Sequence, residues 1–93
     1  MSFIRNRPND EWRNAPGMIS YVECDAQGEI LDGDGEENPE LPMITNSFIE
    51  IGQAIGESLG LAGMVDVMVA GPDHRALFIP TAKKNIGVEY LEN

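Results

Sequence analysis

The chain has 93 residues, with sixteen acidic side chains against six basic ones and a formal net charge of −10. This length predicts one domain with a single hydrophobic core. Nucleic acids and anionic membrane surfaces both require a basic footprint on the protein. The acidic balance therefore argues against a nucleic-acid partner and against membrane insertion.

Two further absences in the sequence bear on where the protein works. It contains no apolar stretch of membrane-spanning length and no segment resembling a signal peptide, so we expect a cytoplasmic protein. Cys24 is the single cysteine, which excludes an intrachain disulfide. It lies in an apolar run, and we predict a buried, unreactive thiol.

The chain divides into a polar arm over residues 1–15, either loose or with a short helix starting at Pro8, and a domain over residues 16–93. Met18–Cys24 is rich in β-branched and aromatic residues and predicts a strand. Residues 25–28 form a turn that ends at a glycine, and residues 29–32 form the returning strand. Residues 33–40 are polar and predict a solvated loop.

A strongly amphipathic helix is predicted over residues 41–59. Its apolar residues recur at steps of three and four, as Leu41, Ile44, Phe48, Ile51, Ile55 and Leu59. Ser47 and Glu50 match a capping box, but the period begins earlier, and Pro42 suits a first helical turn. We therefore expect the helix to begin at Leu41.

A second row on this helix consists of glycines at every fourth position. Gly60 predicts the end of the helix as a C′ glycine. Gly52 and Gly56 lie inside it, where each glycine costs roughly 1 kcal/mol relative to alanine, so they indicate close packing. The approaching backbone belongs either to the chain's own sheet or to a helix of another protomer.

Three further strands are predicted over residues 64–70, 75–81 and 86–90, with turns between them. The order β-β-α-β-β-β predicts an α/β fold with one five-stranded antiparallel sheet and one main helix on one face. Several strands are apolar on both sides. The second face must therefore be covered by the N-terminal arm, a second copy of the chain or a partner.

Two patterns in the sequence suggest chemical sites. The acidic segment 32–40 suggests a ligand or divalent-metal sensor, but Glu37 stands where a calcium-binding loop requires glycine, and a strand enters instead of a helix. His74 beside Asp73 suggests a small enzyme, although the sequence offers no nucleophile for this histidine. We predict no catalytic residue, cofactor or metal ligand.

Three short motifs and the element order resemble the roadblock family of dynein light chains and bacterial gliding regulators. Ala15-Pro16-Gly17-Met18 is similar to the family's entry into its first strand. Residues 25–30 resemble its first hairpin turn, and residues 55–61 resemble the end of its central helix. The resemblance covers about residues 15–91. The family's first helix is reduced here to the polar arm, and no third helix follows Tyr90.

The resemblance implies a homodimer or higher homo-oligomer in which the third strand pairs with its copy and the central helices lie side by side. It places the interface at Ile49, Gly52, Gly56, Met64, Val65, Asp66, Val67, Met68 and Val69. Family members regulate or scaffold Ras-like small GTPases, or link motors to cargo, and lack catalytic residues of their own. We therefore predict a non-enzymatic interaction module that regulates such a GTPase or serves as its adaptor.

Overall fold

The computed structural model describes Arg13, residues 15–61 and residues 66–91. Its elements are β1 (Met18–Cys24), β2 (Ile30–Gly35), α1 (Leu41–Ser58), β3 (Val67–Ala70), β4 (His74–Pro80) and β5 (Asn85–Leu91). The five strands form one antiparallel sheet, and α1 packs on one of its faces. The predicted fold class and element order are confirmed.

The spatial order of the strands is β2-β1-β5-β4-β3. Pairing of β1 with β5 joins the two ribbons that the tight turns create, and it aligns Tyr21 with Val88. β2 and β3 therefore lie at opposite edges of the sheet. The chain leaves one edge after β2, crosses the sheet as α1 and returns at the other edge as β3.

The observed β2 corrects the prediction of a solvated loop over residues 33–40. The strand extends to Gly35, and Tyr21 aligns with Asp34 while Val22 aligns with Gly33. Aspartate and glycine are poor strand formers, but cross-strand pairing decides their conformation here. Because β1 is seven residues long, it offers pairing partners to β2 as far as Gly35, which pairs with Ser20.

The remaining strand boundaries differ from the predictions by small amounts. The described part of β3 begins at Val67, and Met64 and Val65 lie outside the described residues. β4 includes His74, which we predicted in the turn, and the amide of Gly71 donates to the His74 carbonyl oxygen at 2.9 Å. The first hairpin turn is confirmed by the Gly28 amide, which donates to Asp25 O at 3.0 Å.

The ends of α1 follow local signals in the sequence. It begins at Leu41 with Pro42 in its first turn, as predicted, and not at Ser47. Beyond its C-terminus Gly60 has φ +75°, its amide donates to Glu57 O, and the Leu61 amide donates to Gly56 O. This pair of bonds is a Schellman motif, which confirms Gly60 as the C′ residue. No helix in the described part of the chain is long and apolar enough to cross a membrane.

Both sheet faces carry buried apolar side chains. Between α1 and the sheet lies one cluster, Val22, Leu41, Ile49 and Phe78, and the rings of Phe48 and Phe78 stack at 5.3 Å. The opposite face holds a second cluster, Tyr21, Leu77, Ile79, Ile86 and Val88. The Arg13 guanidinium lies 5.1 Å from the centre of the Tyr21 ring on this second face. Residues 1–12 and Asn14 of the predicted arm lie outside the described residues.

Candidate interaction site

The glycine row of α1 faces the chain's own sheet. Gly52 and Gly56 are buried together with Leu41, Thr45 and Ile49. A Cβ atom added at Gly52 would overlap Cγ2 of Val67 in β3. Of the two interpretations left open by the sequence, packing on the chain's own sheet is therefore the one seen at Gly52. The missing side chain lets the helix come close to the edge strand.

Ile49 occupies the core between helix and sheet. Its side chain is only 4% exposed and packs in the cluster with Val22, Leu41 and Phe78. Together with Gly52 and Gly56 it belongs to the buried side of α1. These three predicted interface residues are thus not accessible on the surface of the single chain, and another side of the helix remains open.

The open side of α1 carries most of the large apolar residues that the sequence pattern identified. Ile51 is 52% exposed, Ile55 54% and Leu59, the C-cap residue, 70%. Ile44 is also exposed, and we call these four residues the exposed row. At 100° per residue the exposed row is centred about 85° from the row of buried residues Leu41, Thr45, Ile49, Gly52 and Gly56. The helix therefore has two apolar faces, of which the sheet covers one.

This second face was missed from the sequence, although a signal for it was present. A helix that packs on one sheet needs an apolar stripe of little more than 100°. The isoleucines and glycines of α1 together cover a wider arc of the helix surface than one such stripe. Large residues on one row beside small residues on the next indicate that the small row is the one in close contact.

β3 forms an open edge of the sheet. Val67 turns toward Gly52, whereas Met68 and Val69 are both about 40% exposed. Asp66, at the start of this segment, is partly buried. The outer backbone groups of an edge strand are a template for pairing with another chain. The predicted pairing of this strand with its copy thus has an accessible edge, and it stays a prediction.

A polar network occupies one end of the opposite sheet face. The Tyr21 hydroxyl donates to Glu23 Oε2 at 2.6 Å, and Lys84 Nζ donates to Glu23 Oε1 at 2.6 Å. Burial opposes ionisation of Glu23, but the bonds from Lys84 and Tyr21 outweigh it and lower its pKa. Burial, followed by the bond to Glu23, raises the pKa of Tyr21. The network therefore holds one buried carboxylate in its charged form.

Arg13 and Asp32 form a second ion pair on the same face, with 2.5 Å between Nη2 and Oδ2. The Arg13 guanidinium, together with the Gly33 amide, holds the pKa of Asp32 below its usual range. This pairing weakens the metal-sensor interpretation of residues 32–40. Among the described residues no three histidine, cysteine, aspartate or glutamate side chains come together as metal ligands. The geometry gives the sensor alternative no support.

His74 lies between two carboxylates. Its Nδ1 is 3.2 Å from Asp73 Oδ1, and its Nε2 is 3.6 Å from Glu89 Oε2. Glu89 also accepts a hydrogen bond from the Asn38 amide at 3.0 Å. Carboxylates can orient an imidazole, but a hydrolytic site also needs a nucleophile or an activated water beside it. The contacts with Asp73 and Glu89 explain the position of His74 without a catalytic role.

Cys24 is fully buried under the start of α1, as predicted. Its Sγ lies 3.8 Å from Pro42 O and 3.6 Å from Asn46 Oδ1. Burial, with a smaller contribution from Asp25, raises the pKa of the thiol. A protonated, enclosed thiol is a poor nucleophile, so the residue serves packing.

Comparison with known proteins identifies the fold. No family model matches the sequence, and no curated protein matches it either. Solved structures do match. A Roadblock/LC7 domain from Streptomyces avermitilis superimposes with a TM-score of 0.77 at 15% identity, covering 88% of this chain and 73% of that one.

Two MglB proteins superimpose as well. The gliding protein MglB of Thermus thermophilus has a TM-score of 0.73 at 13% identity, covering 88% of this chain and 67% of that one. An MglB with a tetrameric arrangement has a TM-score of 0.73 at 14% identity, and this chain spans 66% of its length. The sequence motifs, the element order and these superpositions agree, and the chain has the roadblock-family fold.

Proposed function

We propose that this chain is a non-enzymatic, cytoplasmic interaction module that forms a homodimer and regulates a Ras-like small GTPase or serves as its adaptor. The observation that carries the proposal is the exposed row of α1. Four large apolar side chains stand on one helix face in a chain of net charge −10. Contiguous exposed apolar residues on a strongly charged protein mark an interaction surface.

The position of the exposed row favours a second copy of the chain as its first partner. α1 contacts β3, whose edge is open, so one approaching copy can meet both the helix and the edge strand. A two-fold axis places the same patch of each copy against its counterpart, which suits a self-complementary apolar row. The tetrameric arrangement of one similar MglB supports assembly as a property of the fold.

The regulatory part of the proposal rests on the roadblock fold and on the contacts within the chain. Glu23 accepts hydrogen bonds from Tyr21 and Lys84, and the partly exposed His74 lies 3.6 Å from Glu89. The fold is shared with MglB gliding proteins. A module without its own chemistry acts by binding, and for this family that implies a small GTPase.

Ile55→Glu is expected to dissociate the dimer. The substitution places a charge in the centre of the exposed row, where burial without a partner is costly. Light scattering after gel filtration would show about twice the 10.2 kDa chain mass for the wild type and the monomer mass for the variant. Gln53→Glu, at an exposed position on another side of α1, is the matched control and keeps the dimer. A wild type that stays monomeric at high concentration would contradict the dimer.

Binding to a GTPase is tested separately. Purified Ras-like GTPases of the source organism, each loaded with GDP or a GTP analogue, are titrated with the wild-type chain in a calorimeter. We expect one GTPase to bind, with at least a tenfold difference in affinity between its nucleotide states, since a regulator must distinguish them. No binding to any of them would overturn the GTPase assignment and leave the dimer unaffected.

A further inference from the structure

The two edges of the sheet differ in what their outer backbone meets. At the β3 edge, Val67–Ala70 contains no charged residue, and Met68 and Val69 are exposed. At the β2 edge, the sequence Asp32-Gly33-Asp34-Gly35 alternates a carboxylate with a glycine, and all six residues of the strand are exposed. An open edge invites pairing, and proteins often protect one with charged residues.

The hydrogen bonds of β2 show which way its amides point. Just beyond the strand, the Glu36 amide donates to Ile19 O at 2.7 Å, toward β1. In an antiparallel pair successive amides alternate in direction, so the amides of Gly33 and Gly35 point away from β1, at the outer edge. Each already has an acceptor. The Gly33 amide donates to Asp32 Oδ1 and the Gly35 amide to Asp34 Oδ1, both at 2.9 Å.

The second glycine is fixed by the backbone. Gly35 has φ +74°, a backbone conformation that residues other than glycine rarely adopt, and an added Cβ would overlap Ile19 O. The edge thus ends in the pair Asp34-Gly35, and a typical strand-forming residue cannot take the place of this glycine. Both the carboxylate and the glycine are parts of one local arrangement.

We infer that the carboxylates of Asp32 and Asp34 close the β2 edge against strand addition. A strand arriving at this edge must place its carbonyl oxygens opposite the outward amides of Gly33 and Gly35. Those amides are occupied, and a carboxylate is an acceptor that offers the incoming carbonyl no donor. Pairing is thereby directed to the other edge of the sheet. Two copies joined at β3 would form one sheet with a closed β2 edge at each end, which stops further growth.

The test compares the assembly states of three double variants. Asp32→Ala with Asp34→Ala removes both acceptors. Asp32→Asn with Asp34→Asn removes the same two charges but keeps at each position an oxygen that can accept a hydrogen bond from the next amide. Glu36→Ala with Glu37→Ala is the matched control, since it also removes two charges but leaves both aspartates in place. The mass of each is measured by light scattering over a concentration series and compared with the wild type, whatever the oligomeric state of the wild type.

We expect the mass of the double-alanine variant to rise with concentration to at least twice the wild-type mass. The other two variants are expected to keep the wild-type mass. Growth of the asparagine variant as well would show that occupying the two amides does not by itself protect the edge and would overturn the role of the hydrogen bonds. A wild-type mass for the double-alanine variant would overturn edge closure. Neither result depends on the dimer proposed above.

A single variant covers the case in which losing the Arg13–Asp32 ion pair unfolds the double-alanine protein. Asp34→Ala leaves that pair intact. Amide hydrogen exchange by NMR is expected to be several-fold faster at Gly35 in Asp34→Ala than in the wild type, and near wild type in Asp34→Asn. Equal exchange in the alanine variant and the wild type would contradict the Asp34 contact, and an unchanged mass despite faster exchange would contradict closure of the edge by Asp34.

Discussion

Gly87→Ala is expected to destabilise the fold by about 1–3 kcal/mol, the usual cost of adding a methyl group to a well-packed core. Gly87 lies in β5, the central strand, directly under Thr45 of α1. An added Cβ would overlap Thr45 Oγ1 and lie 3.2 Å from Thr45 Cβ. Because Thr45 is fully buried, its side chain has little room to move aside. Urea denaturation followed by circular dichroism measures the change in the free energy of unfolding.

A second substitution on the helix should recover much of this loss. Thr45→Ala removes both Oγ1 and Cγ2, the atoms that crowd the new methyl group besides Cβ. Oγ1 has no hydrogen-bond partner in the described structure, so its loss leaves no buried group newly unsatisfied. The double variant is therefore expected to be more stable than the sum of the single changes predicts, by at least about 0.5 kcal/mol. Additive effects would contradict the contact.

Gly33→Ala provides the control for the general effect of replacing a strand glycine. Gly33 lies in the exposed strand β2, and an added Cβ would lie 3.3 Å from Tyr21 O. We expect a change within about 0.5 kcal/mol, as for most surface substitutions. A similar loss at both glycines would show that β propensity, and not the contact with Thr45, determines the cost at Gly87.

The ends of α1 could be predicted from the sequence, but its orientation on the sheet could not. Pro42 and Gly60 act through their own backbone conformations, which are local properties. Which row faces the sheet depends on the space left between α1 and β3, where Gly52 meets Val67. Periodicity indicates that a face is apolar, and it does not indicate what the face contacts. The row with the larger side chains therefore became the exposed one.

The extent of β2 could not be predicted for a related reason. Asp32-Gly33-Asp34-Gly35 has the composition of a turn, and its local propensities favour a loop. Its strand conformation comes from pairing with residues 20–23 of β1, a contact that no local pattern encodes. The same limit applies to the closed edge, because it requires knowing that the amides of Gly33 and Gly35 point outward. The site at α1 and the edge at β2 were thus visible only after the strands were paired.

Lys84→Met is expected to lower the free energy of unfolding by about 1–3 kcal/mol at pH 7. The Lys84 ammonium bonds Glu23, whose side chain is 11% exposed, while that of Lys84 is 31% exposed. Removing one partner of a buried ion pair leaves the other charge uncompensated, and solvent at Lys84 reduces the cost below that of a fully buried pair. Lys83→Met removes the same charge from the exposed position next to it and is expected to cost less than about 0.5 kcal/mol.

The dependence on pH distinguishes the ion pair from lost packing. In the wild type the pKa of Glu23 is below its ordinary value of 4.5, so the pair adds stability above that pH, and this contribution is lost as the pH falls through the folded pKa. Without Lys84, burial has less opposition and the pKa of Glu23 rises, so ionisation at neutral pH costs stability. The difference between wild type and Lys84→Met should therefore be largest near pH 7 and shrink as the pH falls through the folded pKa of Glu23. Denaturant titrations across this range measure it, and a difference that stays constant with pH would assign the loss to packing of the lysine side chain instead of to its charge.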